Sequence, residues 1–176
     1  MKTAAVLFAH RTSPYKAFDL ADVYDEDRDA LTYAGSLPVV AHPPCRAWGR
    51  LRHLSKHQKT ETELAFFAVD QVRRVGGVLE HPACSTLWPA AGLPAPGCRD
   101  SFGGLTYPIS QSWFGHRAPK STWLYIVGAP GLPAVPFHLG VASGRIELMG
   151  RTEREKTPPD LALWLFDLAS SCNGAA

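Results

Sequence analysis

Short apolar runs, each closed by a proline, a glycine or a polar turn, recur along the chain and predict β-strands. The strongest run is Trp123 to Val127, where aromatic and β-branched residues follow one another. Four weaker runs have the same character: Ala4 to Ala9, Ala21 to Tyr24, Pro38 to Ala41 and Val78-Leu79. We interpret these runs as the strands of one sheet.

Helical periodicity marks two longer segments. The segment Thr60 to Val75 begins with Thr60 and Glu63 at the spacing of a capping box, and its apolar residues mostly follow a 3.6-residue period. Gly76-Gly77 ends this pattern, as glycine commonly does after a helix. A last helix is predicted from Pro159 to about Ser170, because proline is favoured in a first helical turn and the segment has an apolar face.

The order of these elements predicts the fold class. A short helix is expected over Ser13 to Phe18, and the proline- and glycine-rich segments 83–108 and 128–136 are expected to be loops. Strands that alternate with helices indicate an α/β fold whose sheet is mostly parallel, with helices on both faces. A length of 176 residues and a hydrophobic content of 45% fit a single compact domain over residues 1–176.

Bulk composition restricts the function only weakly. No apolar run approaches the roughly 20 residues of a membrane span, and the first residues lack the features of a signal peptide. The net charge of +2 by itself indicates neither nucleic acid nor its absence. Basic side chains do cluster after Cys45, and this cluster is either a phosphate-binding surface or a solvated loop: Arg46, Arg50, Arg52, His53, Lys56, His57 and Lys59.

The cysteines and histidines favour a reduced, cytoplasmic setting without a metal. The four cysteines form no C-x-x-C pair and no regular framework: Cys45, Cys84, Cys98 and Cys172. His53 and His57 have the spacing of two zinc ligands on one helix face. Neither an acid nor a third ligand accompanies them at metal-site spacing, so we expect no metal site.

Cys45 is the first candidate for chemistry. The run Pro38 to Ala41 ends in His42-Pro43-Pro44-Cys45, and prolines cannot continue the hydrogen-bond ladder of a strand. Cys45 is therefore expected at the carboxyl end of a strand, where open α/β sheets bind their ligands. Two interpretations stay open from this position: a nucleophilic thiol, or a buried cysteine that acts as a small hydrophobe.

Glu80 repeats this geometry on a second strand. Val78-Leu79 is followed by Glu80-His81-Pro82, which is again an apolar run, polar residues and a proline. Neighbouring strands of a parallel sheet end at the same edge, so we expect Glu80 close to Cys45 in a single site. A simpler interpretation is that Glu80 caps a turn or pairs with an arginine.

Three motifs in this order resemble those of the cytosine-C5 DNA methyltransferases. They are Pro43-Pro44-Cys45, Glu80-His81-Pro82 and the segment Gln111 to Trp123. The family has a Pro-Pro-Cys loop, then a Glu-Asn-Val or Glu-Asn-Pro motif, then a Q-x-R-x-R strand. The pattern Phe-Gly-His-x-x-x-Lys-x-Thr within the third segment is most similar to small phage-borne DNA methylase-like proteins. The resemblance implies a Rossmann-like, methyltransferase-type sheet without a separate target-recognition domain.

The resemblance also implies covalent catalysis at a pyrimidine base. Cytosine C5 is too weak a nucleophile to attack a methyl sulfonium unaided, and a thiolate that adds at C6 makes C5 part of an enamine. By this resemblance Cys45 is the nucleophile, Glu80 assists at ring N3 and the exocyclic amine, and Lys120 holds the base carbonyl or a phosphate. We expect the buried Glu80 carboxyl to have the raised pKa that protonation of N3 needs.

Further substrate contacts follow from the same resemblance. The implied partner is DNA or a nucleotide, and a base in duplex DNA must be flipped out of the stack. No membrane and no protein partner are indicated. His81 stands where the family has asparagine. Three arginines are expected to contact the DNA backbone: Arg46, Arg50 and Arg52. The expected substrate-binding residues are Pro44, Arg46, His81, Pro82, Gln111 and Thr122.

The methyl-donor half departs from the family. The family binds S-adenosylmethionine with a glycine-rich turn after the first strand and an acid at the end of the second. Here the turn Phe8 to Lys16 contains no glycine, so basic and aromatic side chains take the space that glycine leaves to a ligand. The resemblance still implies S-adenosylmethionine as the donor, with Phe8, His10 and Asp25 as the residues that contact it.

Three hypotheses therefore stand side by side. The first is a compact cytosine-C5 DNA methyltransferase that uses S-adenosylmethionine. The second keeps the covalent chemistry of Cys45 and Glu80 but uses another donor or a nucleotide substrate. Its remodelled pocket is lined by His10, Arg11, Tyr15 and Lys16. The third is a non-catalytic nucleic-acid-binding relic, against which the retention of both Cys45 and Glu80 argues.

Overall fold

A six-stranded mixed sheet forms the frame of the molecule. The computed structural model describes residues 1–49, 52, 59–135 and 143–173. The strands are β1 (Ala4–Leu7), β2 (Ala21–Val23), β3 (Val39–Ala41), β4 (Gly77–Pro82), β5 (Leu105–Ser110) and β6 (Ser121–Val127). The α-helices are α1 (Lys59–Val75), α2 (Leu87–Ala90), α3 (Arg151–Glu155) and α4 (Pro159–Ser171). The 3-10 turns Pro14–Ala17 and Gln111–Phe114 also contribute to the site described below.

The strand order is β2-β1-β3-β4-β6-β5. β1 pairs in parallel with β2 and β3, and β3 pairs in parallel with β4. β6 is antiparallel to both of its neighbours, β4 and β5. The expected α/β class is confirmed, but the expectation of a mostly parallel sheet holds only for the half from β2 to β4.

Alternate residues of each strand pack into two separate cores, one on each face of the sheet. Ala5 and Leu7 of β1 belong to the core that contains Val69 and Val72 of α1. Val6 of β1 belongs to the other core, together with the apolar side of α4. Because strand side chains alternate between faces, strands buried on both sides are continuously apolar, which is why β1 and β3 lack a polar alternation.

Gly77 allows β4 to lie beside β3 directly after α1. Its φ is +120°, and a Cβ added there would lie 2.0 Å from the backbone oxygen of Val39. Only glycine tolerates both the backbone conformation and the close approach. The Gly76-Gly77 pair therefore ends α1 and also sets the position of the strand that carries Glu80.

Two expected segment boundaries differ from the structure. β1 ends at Leu7 rather than Ala9, because Phe8 has a φ of +61° that leaves the strand conformation. The segment 83–108 is not a continuous loop, since it contains α2 and the start of β5. Pro108 conceals β5 in the sequence, but β5 is the edge strand of the described sheet, and an edge strand accepts proline.

Candidate functional site

His42 and Glu80 meet where β3 ends beside β4. Ala41 is paired with Leu79 in the parallel register, so the next residue of each strand emerges at the same edge. His42 Nδ1 lies 3.1 Å from Glu80 Oε2, and both side chains are 12% exposed. Carboxyl ends of adjacent parallel strands form the ligand-binding edge of open α/β sheets. Glu80 thus lies beside the end of β3 with His42 as a direct partner, but it lies within β4 rather than after it, because β4 continues to Pro82 through its pairing with β6.

Gln111 holds the other oxygen of the Glu80 carboxylate. Its Nε2 donates to Glu80 Oε1 at 2.9 Å and to Thr122 Oγ1 at 3.1 Å. Its backbone N–H donates to the Lys120 carbonyl at 3.0 Å, which ties the turn after β5 to the start of β6. Its Oε1 is buried without a hydrogen-bond partner in the described part of the chain. Gln111 therefore orients the Glu80 carboxylate, and Thr122 holds the Gln111 amide in place.

Tyr15 extends this network to the turn after β1. Its hydroxyl lies 3.0 Å from His42 Nε2, and its side chain is fully buried. Burial, and then the charge of Glu80, raise the pKa of the Tyr15 phenol well above its ordinary value. The sequence predicts Tyr15 only as part of the remodelled pocket of the second hypothesis, and it does not predict His42 among the catalytic or substrate-binding residues. The usable signal was the position of His42 directly after a buried strand and before Pro43.

Glu80 is ionised, contrary to the sequence expectation of a raised pKa. Burial alone raises the pKa of this carboxyl. The hydrogen bond with His42 and the positive charge of Lys120 act in the opposite direction and outweigh burial, so the pKa falls to about 2. A carboxyl surrounded by donors and cations favours its charged form even when it is buried.

Cys45 lies in the turn that follows β3 and is half-buried. Its carbonyl accepts from the backbone N–H groups of Trp48 and Gly49, at 3.1 Å and 2.9 Å. Burial, and then the negative charge of Glu80, raise the pKa of the Cys45 thiol, whereas Lys120 lowers it. Glu80 and Lys120 thus both act electrostatically on Cys45, and the thiol is protonated at neutral pH in the free protein.

His81 and Pro82 shape the wall behind Glu80. The His81 ring is fully buried, and neither nitrogen has a hydrogen-bond partner in the portion of the chain that the structure describes. Burial lowers the pKa of His81 to about 4, although the Glu80 charge and the nearby Pro44 carbonyl oppose this change. The Pro82 carbonyl accepts from Trp88 Nε1 at 2.9 Å. These two residues are therefore neutral structural neighbours of the charged network.

The basic cluster after Cys45 is only partly described. Arg46 forms an ion pair with Glu61 at the start of α1, and Arg52 is exposed. Arg50 lies outside the described residues, as do His53, Lys56 and His57. The Arg46 guanidinium is thus already engaged by a carboxylate, which competes with a phosphate contact.

The residues expected to contact the methyl donor lie in the turns after β1 and β2. Ion pairs join these two turns. His10 is exposed, and its Nδ1 lies 2.9 Å from Thr12 Oγ1. Asp25 pairs with Lys16 through one oxygen, and its other oxygen accepts from the backbone N–H groups of Asp27 and Arg28. The hydrogen bond from Lys16 lowers the pKa of Asp25, although burial opposes it. Both oxygens of Asp25 therefore already have partners within the protein.

Phe8 marks the position where strand order reverses. β1 lies between β2 and β3, so the chain leaves β1 on one side and returns on the other. Ligands of open α/β sheets bind in the crevice at such a point. The left-handed conformation of Phe8, at φ +61°, costs a residue with a side chain about 1 kcal/mol or more. Its ring packs edge-on against Phe67 of α1.

Searches for metal groups and membrane helices within the described ranges found neither. No cluster of three or more histidine, cysteine, aspartate or glutamate side chains has the arrangement of a metal site in residues 1–49, 52, 59–135 and 143–173. In the same ranges, each helix is too short or too polar to span a bilayer.

Comparisons with known proteins do not assign the chain to a family. No protein-family model, no curated protein and no solved structure matches it.

Proposed function

We propose that this protein modifies C5 of a pyrimidine base by covalent catalysis, in the manner of a cytosine-C5 DNA methyltransferase. One observation carries the proposal: Glu80 on β4 lies beside the end of β3, which leads into the turn that contains Cys45, and the charge of Lys120 lowers the pKa of both groups. A nucleophile, a carboxyl that contacts the base and a cation are the groups that addition to a pyrimidine needs. The ordered motifs that resemble this family support the same assignment.

The covalent step can be written with these residues. Cys45 loses its proton to solvent, and its thiolate forms a bond to C6. The π electrons of the C5–C6 double bond form a new double bond between C4 and C5. The π electrons of the C4–N3 double bond move to N3, and N3 takes up a proton through Glu80. C5 is then nucleophilic. Lys120 favours this step because its charge lowers the pKa of the Cys45 thiol.

The donor side fits S-adenosylmethionine poorly. The family's glycine-rich turn is replaced by Phe8 to Lys16, and the acid expected to hold a ribose, Asp25, is bound by Lys16 and two backbone N–H groups. No transfer step is therefore derived from that donor. This observation favours a second candidate, in which the same covalent chemistry serves another one-carbon donor or a free nucleotide.

Hydrogen exchange at C5 tests the covalent step without any donor. Addition of Cys45 at C6 makes C5 basic, so C5 takes up a deuteron from D₂O and then loses its original hydrogen. The deuterated base leaves the enzyme when the C6–S bond breaks. Mass spectrometry of a cytosine oligonucleotide, duplex DNA, dCMP and dUMP is expected to show deuterium in at least one of them. Cys45→Ser is expected to abolish exchange and Cys98→Ser, at an exposed site, to retain it. Exchange in none of the four substrates would refute the proposal.

Calorimetry separates the two candidates for the donor. Binding of S-adenosylmethionine at millimolar concentration or tighter, weakened by Asp25→Asn, would support the methyltransferase. Exchange at C5 without any such binding would support the second candidate.

A further inference from the structure

The Glu80 carboxylate lacks the proton that the proposed reaction needs. Both of its oxygens accept hydrogen bonds, from His42 at one oxygen and from Gln111 at the other. An ionised carboxylate is an acceptor only, and N3 of cytosine is an acceptor too. A proton must therefore reach Glu80 from another group before N3 can be protonated. Gln111 cannot release one, because its amide does not titrate.

His42 is the titratable group in direct contact with Glu80. When the ring is neutral, ionised Glu80 favours the tautomer with the hydrogen on Nδ1, and Nε2 then accepts from the Tyr15 hydroxyl. When the ring is protonated, both nitrogens donate and the same hydroxyl accepts. The Tyr15 hydroxyl serves both states, so His42 can gain or lose a proton without breaking the network.

We propose that His42 holds the proton that Glu80 passes to N3 of the bound base, and that Tyr15 orients the His42 ring for this transfer. The inference rests on the proposed function. As the C6–S bond forms, the imidazolium Nδ1 proton moves to Glu80, a proton of Glu80 moves to N3, and His42 is left neutral. Elimination of Cys45 reverses these transfers. His42 is thus a positioning residue that acts through Glu80, not a group that touches the base.

The other charged or titratable groups around this pair do not replace His42. Lys120 supplies a positive charge that lowers the pKa of Glu80. His81 has a pKa lowered to about 4 and is neutral when the enzyme works near pH 7. The raised pKa values of Cys45 and Tyr15 keep both protonated and uncharged at neutral pH in the free protein. The groups that face the pair are Tyr15 from the turn after β1, Cys45 after β3, His81 on β4 and Lys120 before β6.

The pH dependence of C5 exchange tests the proposal. The wild-type rate is expected to pass through a maximum with pH, because the step needs a deprotonated Cys45 and a proton on His42 at the same time. His42→Asn retains an N–H donor for Glu80 but cannot titrate, so its rate is expected to fall at least about tenfold at neutral pH and to lose the alkaline descent. A His42→Asn enzyme with the wild-type rate and profile would overturn the proposal.

Two tyrosine variants test the orienting contact. Tyr15→Phe removes the hydroxyl next to His42, and Tyr33→Phe is its matched control, since that buried hydroxyl donates to the Leu37 carbonyl away from the site. We expect Tyr15→Phe to reduce the exchange rate severalfold and Tyr33→Phe to leave it unchanged. Equal effects of the two variants would assign Tyr15 a structural role only.

Nitrogen NMR of the free protein separates this inference from the proposed function. Long-range ¹H–¹⁵N spectra of neutral His42 are expected to show the hydrogen on Nδ1 in wild type, and a mixture of tautomers in Glu80→Gln and Tyr15→Phe. A ring with its hydrogen on Nε2 in the wild type would refute the role of His42 even if exchange occurs. Absence of exchange with the expected tautomer would refute the proposed function, and with it the proton transfer to a base.

Discussion

His42 and Glu80 lie 38 residues apart in the chain, yet their side chains form a 3.1 Å contact at the edge of the sheet. Parallel pairing of β3 with β4 produces this contact, because Ala41, the last residue of β3, pairs with Leu79 and the next residues of the two chains lie side by side. The contact stabilises the charged form of a carboxyl that burial alone would neutralise. It therefore links the stability of the fold to the chemistry of the candidate site.

Glu80 makes the fold sensitive to acid. Its folded pKa of about 2 lies below the ordinary value of 4.5, so ionised Glu80 stabilises the protein above about pH 4.5, and this contribution disappears as the pH falls towards 2. We expect up to about 3 kcal/mol of unfolding free energy to be lost across that window. Urea denaturation at a series of pH values measures this loss of unfolding free energy.

Glu80→Gln is expected to lack that acid-dependent loss. Glu63→Gln, on the exposed side of α1, is the matched control and is expected to follow the wild type. The interpretation is wrong if Glu80→Gln and the wild type lose stability in parallel between pH 4.5 and 2.

His81 is expected to act in a higher pH window. Its folded pKa of about 4 lies below the ordinary 6.5, so the unfolded chain takes up the proton first, and stability falls as the pH decreases from 6.5 to 4. His81→Leu removes this dependence and also removes two buried nitrogens without partners. We expect the variant to be as stable as the wild type at pH 7 or more stable, by about 1 kcal/mol. If His81→Leu lost several kcal/mol of unfolding free energy at pH 7, this prediction would be wrong.

Thiol alkylation measures the electrostatics around Cys45. The raised pKa predicts slow reaction with iodoacetamide at pH 7. Lys120→Met is expected to slow it further by roughly severalfold, and Glu80→Gln to accelerate it, because the first variant removes a positive charge and the second a negative one. Peptide mass spectrometry follows Cys45, with exposed Cys98 as the internal control. Equal rates in all three proteins would show that neither charge acts on Cys45.

Gly77→Ala is expected to be severely destabilising. A Cβ at this position would collide with the Val39 backbone, and the φ of +120° is unfavourable for any L side chain, so we expect a loss of at least about 3 kcal/mol or failure to fold. Gly92→Ala is the matched control: its φ is +60°, but no atom lies within 4 Å of the added Cβ. This variant is expected to lose only about 1 kcal/mol. Comparable losses in the two variants would exclude the collision as the cause.

Much of the fold was accessible from local patterns. The period of α1 and the apolar runs of β1, β3 and β6 are properties of neighbouring residues, and the structure places these elements close to the predicted ranges. β5 was missed because Pro108 lies inside it, and only its position at the sheet edge makes a proline acceptable there. The reversed direction of β6 was missed as well, since a strand's own residues do not specify its neighbours.

The sequence alone determined that Cys45 would follow a buried strand and that Glu80 would come directly after the apolar pair Val78-Leu79, because apolar runs and prolines are local signals. Only the pairing with β6 extends β4 past Glu80 to Pro82. Tertiary structure alone decided what surrounds Glu80. His42, Gln111 and Lys120 come from distant segments, and their summed hydrogen bonds and charges reverse the pKa shift that burial would give. The sign of that shift depends on distances between side chains, which parallel pairing of β3 with β4 and the return of the chain through β6 create.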